Sequence, residues 1–222
     1  MDSILEFPGV NAEFFPNGYY YGHSDGEISI EDFESFIKHP FNRDKKFELI
    51  DGRLVLMAGN ASSNHQRIIA NMTIDIGHYL KGKKCEVFND LNLYLFKEDL
   101  GECKDMYQPD ILICCDKRKI TKKGCEGVPD LIVEVISKST GSYDYTKKFV
   151  NYIKYGVREY WIADMFRNKI FVYVNQEKSN LMLNEYTFYD KAESVIFPGL
   201  SVDFTEILEK LDKSELEWFK GE

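Results

Sequence analysis

The clearest pattern along the chain is a pair of apolar-rich runs on either side of Asp51 and Gly52. An Asp-Gly pair suits a two-residue type I′ turn, so residues 46–57 are predicted to form a β-hairpin. In that register Glu48 lies opposite Val55. Further strands are predicted over 85–90, 91–96, 110–115, 130–137, 158–164, 169–175 and 185–190, and around 195–196.

Other segments carry the spacing of an amphipathic helix. They cover 29–39, 63–82, 144–155 and about 204–219. Ser63 with Gln66 resembles a capping box at the start of the second helix, whose apolar stripe includes His65. The inward stripe of the third helix is predicted to contain Tyr145, Phe149, Tyr152 and Ile153.

Residues 1 to about 28 show no clear period and are predicted to form an N-terminal arm. No linker, repeat or low-complexity tract divides residues 29–222, which are therefore predicted to form one domain. The order of elements predicts an α/β fold with a mixed central sheet flanked by helices. The helix between the strands at 130–137 and 158–164 suits a crossover unit.

Composition narrows the possible functions. Hydrophobic residues make up 44% of the chain, which is enough for a sizeable core, and the formal net charge is −9. Nucleic acid would be repelled by such a surface as a whole, so binding would require a local basic patch, a bound metal or both. The loop KRKITKK (117–123) could be such a patch, although a solvated loop is the simpler reading.

The five cysteines form no C-x-x-C pair and their number is odd. The sequence therefore gives little support to a zinc site or a disulfide framework, and reduced thiols are expected. No apolar run approaches the ~18 residues of a membrane span, and no leader segment is recognisable. A soluble, cytoplasmic protein without a membrane partner is expected.

Two carboxylates occupy positions that need an explanation. Glu134 lies in the middle of the apolar strand LIVEVI, where an ionised group requires either an ion pair or a metal ion. Asp110 follows Pro109 at the start of another strand, where it could also be a simple turn residue. If the two strands are neighbours, both side chains can converge on one Mg²⁺ ion, which prefers oxygen ligands.

Several strings, taken in order, are similar to the Uma-type restriction endonuclease family of the PD-(D/E)XK nuclease superfamily. They are FELIDGRLVLMAG, SSNHQRI, QPDILIC, GVPDLIVEVISKST and YDYTKKFVNYIKYGVREYWIAD. The resemblance covers roughly residues 30 to 200. It implies a restriction-endonuclease-like core, a Mg²⁺ site in which Mn²⁺ can substitute, DNA as the substrate and a homodimer.

The resemblance also implies roles for single residues. Asp110 and Glu134 match the two carboxylates of the signature, and the backbone carbonyl of Val135 is a plausible third metal ligand. Glu48 and His65 match further polar positions and are candidate catalytic residues. Glu48 could equally be a member of a buried ion pair, and His65 could be a hydrogen-bonded core histidine or a contact to substrate phosphate.

The signature lysine is absent from its usual place, because Ile136 stands two residues after Glu134. Lys147 and Lys148 on the next helix are the alternatives. Lys148 lies at the edge of the inward stripe, whereas Lys147 is predicted to face solvent with Asn151 and Lys154, so Lys148 is the candidate catalytic lysine. Asp130 is rejected as a ligand because four residues of strand separate it from Glu134 by about 13 Å.

Two functions remain open. The first is a Mg²⁺-dependent endonuclease that hydrolyses DNA phosphodiester bonds. The alternative is a non-catalytic nucleic-acid-binding or scaffold module on the same fold, which the missing lysine at position 136 and the acidic charge both favour.

Overall fold

A computed structural model describes residues 11–14, 20–23, 28–42, 45–57, 62–96, 103, 105–137, 144–176 and 180–219. The helices are α1 (Ile30–Lys38), α2 (Ser63–Leu80), α3 (Phe149–Tyr155) and α4 (Phe204–Lys210). Within these ranges no helix combines the length and the apolar character that a membrane span requires.

The strands are β1 (Asn11–Phe14), β2 (Tyr20–His23), β3 (Lys46–Ile50), β4 (Arg53–Met57), β5 (Glu86–Asn89), β6 (Leu93–Leu95), β7 (Asp105–Tyr107), β8 (Ile111–Cys114), β9 (Cys125–Glu126), β10 (Leu131–Val135), β11 (Glu159–Asp164), β12 (Lys169–Gln176), β13 (Asn180–Tyr186), β14 (Lys191–Glu193) and β15 (Ser201–Asp203).

The first sheet has the order β1-β2-β4-β3-β7-β6-β9. Its centre is the predicted hairpin, in which Glu48 lies opposite Val55 as expected. Asp51 and Gly52 both have positive φ (51° and 69°), as a type I′ turn requires. The predicted arm contributes β1 and β2, and β2 joins the sheet through a pair between Tyr21 and Val55.

The second sheet has the order β13-β12-β11-β10-β8-β5, and β14 and β15 form a separate ribbon. Strand β10 pairs in parallel with β11 and antiparallel with β8. The parallel pair confirms the crossover unit, because α3 lies between these two strands in the chain. The α/β class with mixed sheets is also confirmed, although the strands divide between two sheets.

Three apolar clusters fill the layers. One packs α2 and α4 against the second sheet, and its buried residues include Met72, Val133 and Phe204. A second lies between the two sheets, and a third packs α1 on the outer face of the first sheet. Alternation along β10 sends Val133 and Val135 towards α2 and directs Ile132 and Glu134 into the layer between the sheets.

Several predicted boundaries were wrong. The cap of α2 is Ser62, whose hydroxyl accepts the His65 N–H, and not Ser63. Strand β13 lies before the predicted 185–190, because it continues the long β12 hairpin. No strand forms at 195–196, since the backbone N–H groups of these two residues donate to the carboxylate of Glu159. Helix α4 stops at Lys210, and short 3₁₀ turns replace the predicted remainder.

The expectation of fully reduced cysteines was also wrong. Cys85 and Cys115 are joined by a disulfide. They flank β5 and β8, which are antiparallel neighbours, and this pairing brings the two side chains together without a C-x-x-C spacing. Cys103, Cys114 and Cys125 are free thiols.

Candidate active site

Lys148 is the centre of a buried ionic cluster. Its side chain is only 1% exposed, and its ammonium nitrogen lies 3.0 Å from Glu48 Oε1, 3.1 Å from Glu134 Oε1 and 3.3 Å from Asp144 Oδ1. Glu48 comes from β3 of the first sheet and Glu134 from β10 of the second. The lysine therefore joins carboxylates from both sheets across the layer between them.

A wide helical turn presents Lys148 to this layer. Residues Asp144–Lys148 form a π-helical turn that continues directly into α3. The wider turn brings residues four apart nearly into line, so Asp144 and Lys148 are both buried on the same side. The Tyr160 hydroxyl fixes this turn by donating to the Asp144 carbonyl at 3.1 Å.

The predicted inward face of the helix is confirmed only in part. Tyr152 is fully buried and Tyr145 and Phe149 pack against the layer between the sheets, but Ile153 is only half-buried and Asn151 is buried. Asn151 donates to Tyr107 Oη at 2.8 Å, so its predicted solvent exposure was wrong. An extra residue in the turn rotates the following stripe away from the position that regular 3.6-residue spacing predicts.

Glu134 is held by two donors at one oxygen. Its Oε1 accepts hydrogen bonds from Lys148 at 3.1 Å and from the Tyr152 hydroxyl at 3.0 Å. Burial raises the pKa of Glu134 well above its ordinary value; Lys148 opposes this shift, whereas Asp144, Asp110 and Glu48 add to it. A proton or a cation is therefore favoured in this group of carboxylates.

Lys148 itself stays protonated and positively charged. Burial alone would lower the pKa of the ammonium, but the surrounding carboxylates, Glu134 first among them, raise it well above 10.5. Three carboxylates face this one ammonium, so full ionisation leaves an excess of negative charge in a buried layer.

Asp110 and His65 form the second half of the site. The Asp110 Oδ2 atom accepts the Val135 N–H at 2.7 Å and lies 3.4 Å from His65 Nε2. His65 Nε2 also donates to the Val135 carbonyl at 2.9 Å, and because a carbonyl only accepts, this nitrogen carries a proton. Burial raises the pKa of Asp110, but His65, the Val135 N–H and Lys46 together lower it below 3.8.

The register of the second sheet explains why Glu134 and Asp110 lie at neighbouring positions. The β8–β10 ladder ends at the pair of Val133 with Ile111, and the next residues along each strand are Glu134 and Asp110. Residues opposite each other on antiparallel strands project from the same side of a sheet. The two signature carboxylates thus lie at neighbouring positions, as convergence on one ion requires.

Within the described part of the chain, Glu48 Oε2 and His65 Nδ1 are buried without a hydrogen-bond partner. The other oxygen of Glu48 contacts Lys148 and accepts the Gln108 N–H at 3.0 Å. An unpaired buried carboxylate oxygen is costly. Together with the excess of carboxylates, it fits a small divalent cation, which prefers oxygen ligands.

The side chains of this network do not form a preassembled cluster of acidic metal ligands. Among the described residues, no group of three or more His, Cys, Asp or Glu side chains is positioned to hold a metal ion. One reason is that the Lys148 ammonium lies between the carboxylates of Glu48 and Glu134.

The sequence-predicted site residues all enter one connected network. Glu48, Glu134 and Lys148 form its ionic part, and adjacent Val135 links that part to His65 and Asp110. The i,i+4 spacing of Asp144 and Lys148 predicts their contact, which the structure contains at 3.3 Å. Sequence reasoning missed the contribution of Tyr152, which is indistinguishable in sequence from a core tyrosine.

Other polar candidates lie elsewhere. Asp130 accepts the Cys115 N–H at 2.8 Å and pairs with Arg158 at 3.0 Å, which agrees with its rejection as a ligand. The basic loop forms local ion pairs, with Lys117 on Glu86 and Lys123 on Glu34. Lys117 and Lys123 are therefore already partnered by carboxylates.

Comparisons with known proteins are consistent with this site. The model of the Uma2 family, described as "Putative restriction endonuclease", matches residues 30–205. That range includes every residue of the network described above.

Relatives and a solved structure extend the comparison. The Synechocystis protein slr1290, which is uncharacterised, is 26% identical over 162 residues, covering 72% of this chain and 82% of its own length. The uncharacterised Synechocystis protein sll1609 is 29% identical over 126 residues, covering 55% and 68% respectively. A crystal structure from Anabaena variabilis, described as a putative nuclease belonging to DUF820, aligns with a TM-score of 0.63 at 18% identity, covering 82% of this chain and 99% of that one. At this identity the likeness shows the fold alone.

Proposed function

Because the chain belongs to the Uma2 restriction endonuclease family, we propose that it is a Mg²⁺-dependent endonuclease that hydrolyses DNA phosphodiester bonds. The observation that carries the proposal is the surplus of buried carboxylates around Lys148, one of which, Glu134, lies at a position neighbouring Asp110. A purely structural ion pair would not require this surplus, whereas a cation site does.

Asp110, Glu134 and the carbonyl of Val135 would hold the metal ion. All three are oxygen donors at the ends of neighbouring strands β8 and β10. When bound, the ion would supply neutralisation of phosphate charge and an activated water molecule. Mn²⁺ is expected to substitute for Mg²⁺, because it accepts the same oxygen ligands.

Lys148 is the proposed catalytic lysine. Its ammonium stays charged and can stabilise negative charge that builds up on phosphate oxygens in the transition state. Its approach from the helical turn replaces the lysine that the signature places two residues after Glu134, where this chain has Ile136.

Glu48 and His65 act as positioning residues in this proposal. Glu48 holds the Lys148 ammonium from the opposite sheet at 3.0 Å. His65 holds both the Val135 carbonyl and the Asp110 carboxylate, which fixes two of the three proposed ligands. Such support is typical of metal sites, where outer hydrogen bonds orient the ligands.

Cleavage of supercoiled plasmid DNA tests the proposal. The native protein is expected to nick or linearise the plasmid with Mg²⁺ or Mn²⁺ and to lose this activity in EDTA. Asp110→Asn should reduce the rate by at least about 10²–10³, the scale for lost transition-state stabilisation. Asp130→Asn is the matched control, since it changes another Pro-Asp aspartate whose partners are Cys115 and Arg158. Equal rates for the native protein and Asp110→Asn would contradict the assigned metal site.

A non-catalytic module that binds nucleic acid is the second candidate. It is favoured by the absence of an assembled three-ligand metal group among the described residues. Tight DNA binding in EDTA with a steep salt dependence, and no cleavage with any divalent cation, would support this candidate. Such binding would depend on basic side chains alone, against a net charge of −9.

A further inference from the structure

Lys46 lies at the edge of the candidate active site. It is the first residue of β3, and Glu48 is two residues further along the same strand. Residues two apart on a strand project to the same face, so Lys46 and Glu48 both belong to the layer between the sheets. The Glu48 side chain is fully buried, whereas that of Lys46 is 35% exposed. Lys46 therefore lies where this layer opens to solvent.

The ion-pair partner of Lys46 is adjacent in the chain to a residue that contacts Asp110. Its ammonium lies 2.6 Å from Asp90 Oδ1, and the neighbouring residue Asn89 donates its side-chain amide to the Asp110 carbonyl at 3.0 Å. Burial lowers the pKa of Lys46, but Asp90, Asp110 and Glu134 raise it above 10.5. Lys46 is therefore a charged group close to both signature carboxylates.

The ion pair between Lys46 and Asp90 is weak. Asp90 is 63% exposed, and an ion pair with an exposed carboxylate contributes only about 0–1 kcal/mol. A DNA phosphate carries the same charge as Asp90 and can replace it on the ammonium. Lys148 differs in this respect, because its three carboxylates are buried and its side chain is 1% exposed.

We propose that Lys46 binds a phosphate of the DNA backbone beside the scissile bond and that Asp90 occupies its ammonium when DNA is absent. The inference rests on the proposed function and adds a substrate-binding residue to it. The net charge of −9 opposes DNA binding, so a local positive charge is required. Lys46 supplies such a charge at the opening of the site, outside the KRKITKK loop.

DNA binding measured in Ca²⁺ tests Lys46 separately from cleavage. Fluorescence anisotropy would give Kd for labelled double-stranded DNA of mixed sequence at several salt concentrations. Lys46→Gln should weaken binding and reduce the slope of log Kd against log salt by about 0.9, the value for one lost phosphate contact. The ratio of the variant and native Kd values should then shrink roughly threefold between about 50 and 200 mM salt.

Two further variants make the test specific. Lys191→Gln removes one positive charge from an exposed lysine paired with Asp203 in the separate β14–β15 ribbon, and it should leave Kd unchanged. Asp90→Asn should tighten binding through the released Lys46. Asn also tolerates the positive φ of 51° at this position, so the substitution preserves the turn.

The double variant Lys46→Gln/Asp90→Asn completes a double-mutant cycle, which measures whether the two substitutions act through each other. If Asp90 acts by occupying Lys46, the double variant should bind as weakly as Lys46→Gln alone. A full gain from Asp90→Asn in the absence of Lys46, or equal weakening by Lys46→Gln and Lys191→Gln, would overturn the inference. So would native affinity in Lys46→Gln, while plasmid cleavage by the native protein would still support the proposed function. Absence of both DNA binding and cleavage by the native protein would overturn both proposals.

Discussion

The ammonium nitrogen of Lys148 lies 3.0 Å from Glu48 Oε1, and this contact connects a helical turn beside the second sheet to the central hairpin of the first. Both side chains are almost completely buried. The site is consequently part of the layer that holds the two sheets together, and changes at these residues affect stability as well as activity.

Removal of the Lys148 charge should distinguish its effect on stability from its effect on activity. Lys148→Met keeps much of the volume but leaves three buried carboxylates without their ammonium, so we expect loss of cleavage and destabilisation by about 3–5 kcal/mol in EDTA. Mg²⁺ or Mn²⁺ should raise the melting temperature of this variant more than that of the native protein, because the cation replaces the missing charge. Melting curves with and without metal are the measurement.

Lys147→Ala is the control for that experiment. The adjacent Lys147 is exposed and pairs with Asp51 on the hairpin turn at 2.8 Å, so its loss should change stability by less than about 1 kcal/mol and preserve cleavage. Equal activity of the Lys147 and Lys148 variants would leave the proposed endonuclease without a catalytic lysine and would favour the non-catalytic candidate.

Neutralisation of Glu134 should have the opposite effect on stability. Glu134→Gln retains the shape of the side chain and can still accept from the Tyr152 hydroxyl while removing one of the surplus negative charges. We expect a folded protein, at least as stable as the native one without metal, whose cleavage rate falls by about 10²–10³. Circular dichroism and plasmid cleavage would be measured on the same preparation. An unfolded variant would mean that Glu134 is a structural ion-pair partner and that its metal role is wrong.

Stability should depend on pH through Asp105. Burial raises the pKa of this carboxyl above 3.8, although the Asp51 N–H at 2.6 Å and the Tyr155 hydroxyl at 3.2 Å oppose the shift. A raised pKa means that the folded chain binds the proton more tightly, so this contribution is complete below pH 3.8 and is lost as pH rises through the raised pKa. Asp105→Asn should remove this loss.

Urea unfolding between about pH 3 and 7 would measure the difference in unfolding free energy between native protein and variant. The native protein should lose stability relative to Asp105→Asn as pH rises. Asp203→Asn is the control of opposite sign, because hydrogen bonds from Thr205 and the ion pair with Lys191 lower the pKa of Asp203 to about 2. Its native advantage should be lost as pH falls. A pH-independent difference for Asp105→Asn would contradict the assignment.

Reduction of the Cys85–Cys115 disulfide should destabilise the fold. The bond closes a loop with a sequence separation of 30, for which chain entropy predicts a contribution of about 3–4 kcal/mol. Cys85→Ser should melt at a lower temperature than the oxidised native protein and show no response to dithiothreitol. Cys103→Ser, which removes a free thiol, should retain the native response to the reductant. A native melting temperature that reductant leaves unchanged would contradict this prediction.

Local patterns were sufficient where one short segment determines the structure. The Asp51-Gly52 turn fixed the hairpin register, and the uninterrupted apolar run around Glu134 identified a central strand. The same run indicated the site, because a buried carboxylate requires a partner. The resemblance and helix geometry together predicted that Lys148 turns towards Glu134, and the two side chains are in contact at 3.1 Å.

Other features depend on contacts between distant segments. The short strand β7 forms only because β3 and β6 supply its partners, and Asp105 lies within it. The disulfide depends on the β5–β8 pairing, which cysteine spacing does not encode. The buried position of Asn151 follows from the π turn, whose extra residue regular helical periodicity does not anticipate.

The supply of the lysine from a helix has a consequence for how the site assembles. Because the lysine comes from the helix, position 136 next to the strand holds an apolar residue, and Ile136 is buried in the layer between the sheets. The carboxylates, however, belong to strands, whereas the ammonium arrives only when the turn at Asp144–Lys148 docks. Under the proposed function, fraying of this one turn would remove the ammonium from the site while both sheets stay intact. Amide hydrogen exchange at the start of α3 would then measure how often the proposed site is complete, independently of how often the protein unfolds.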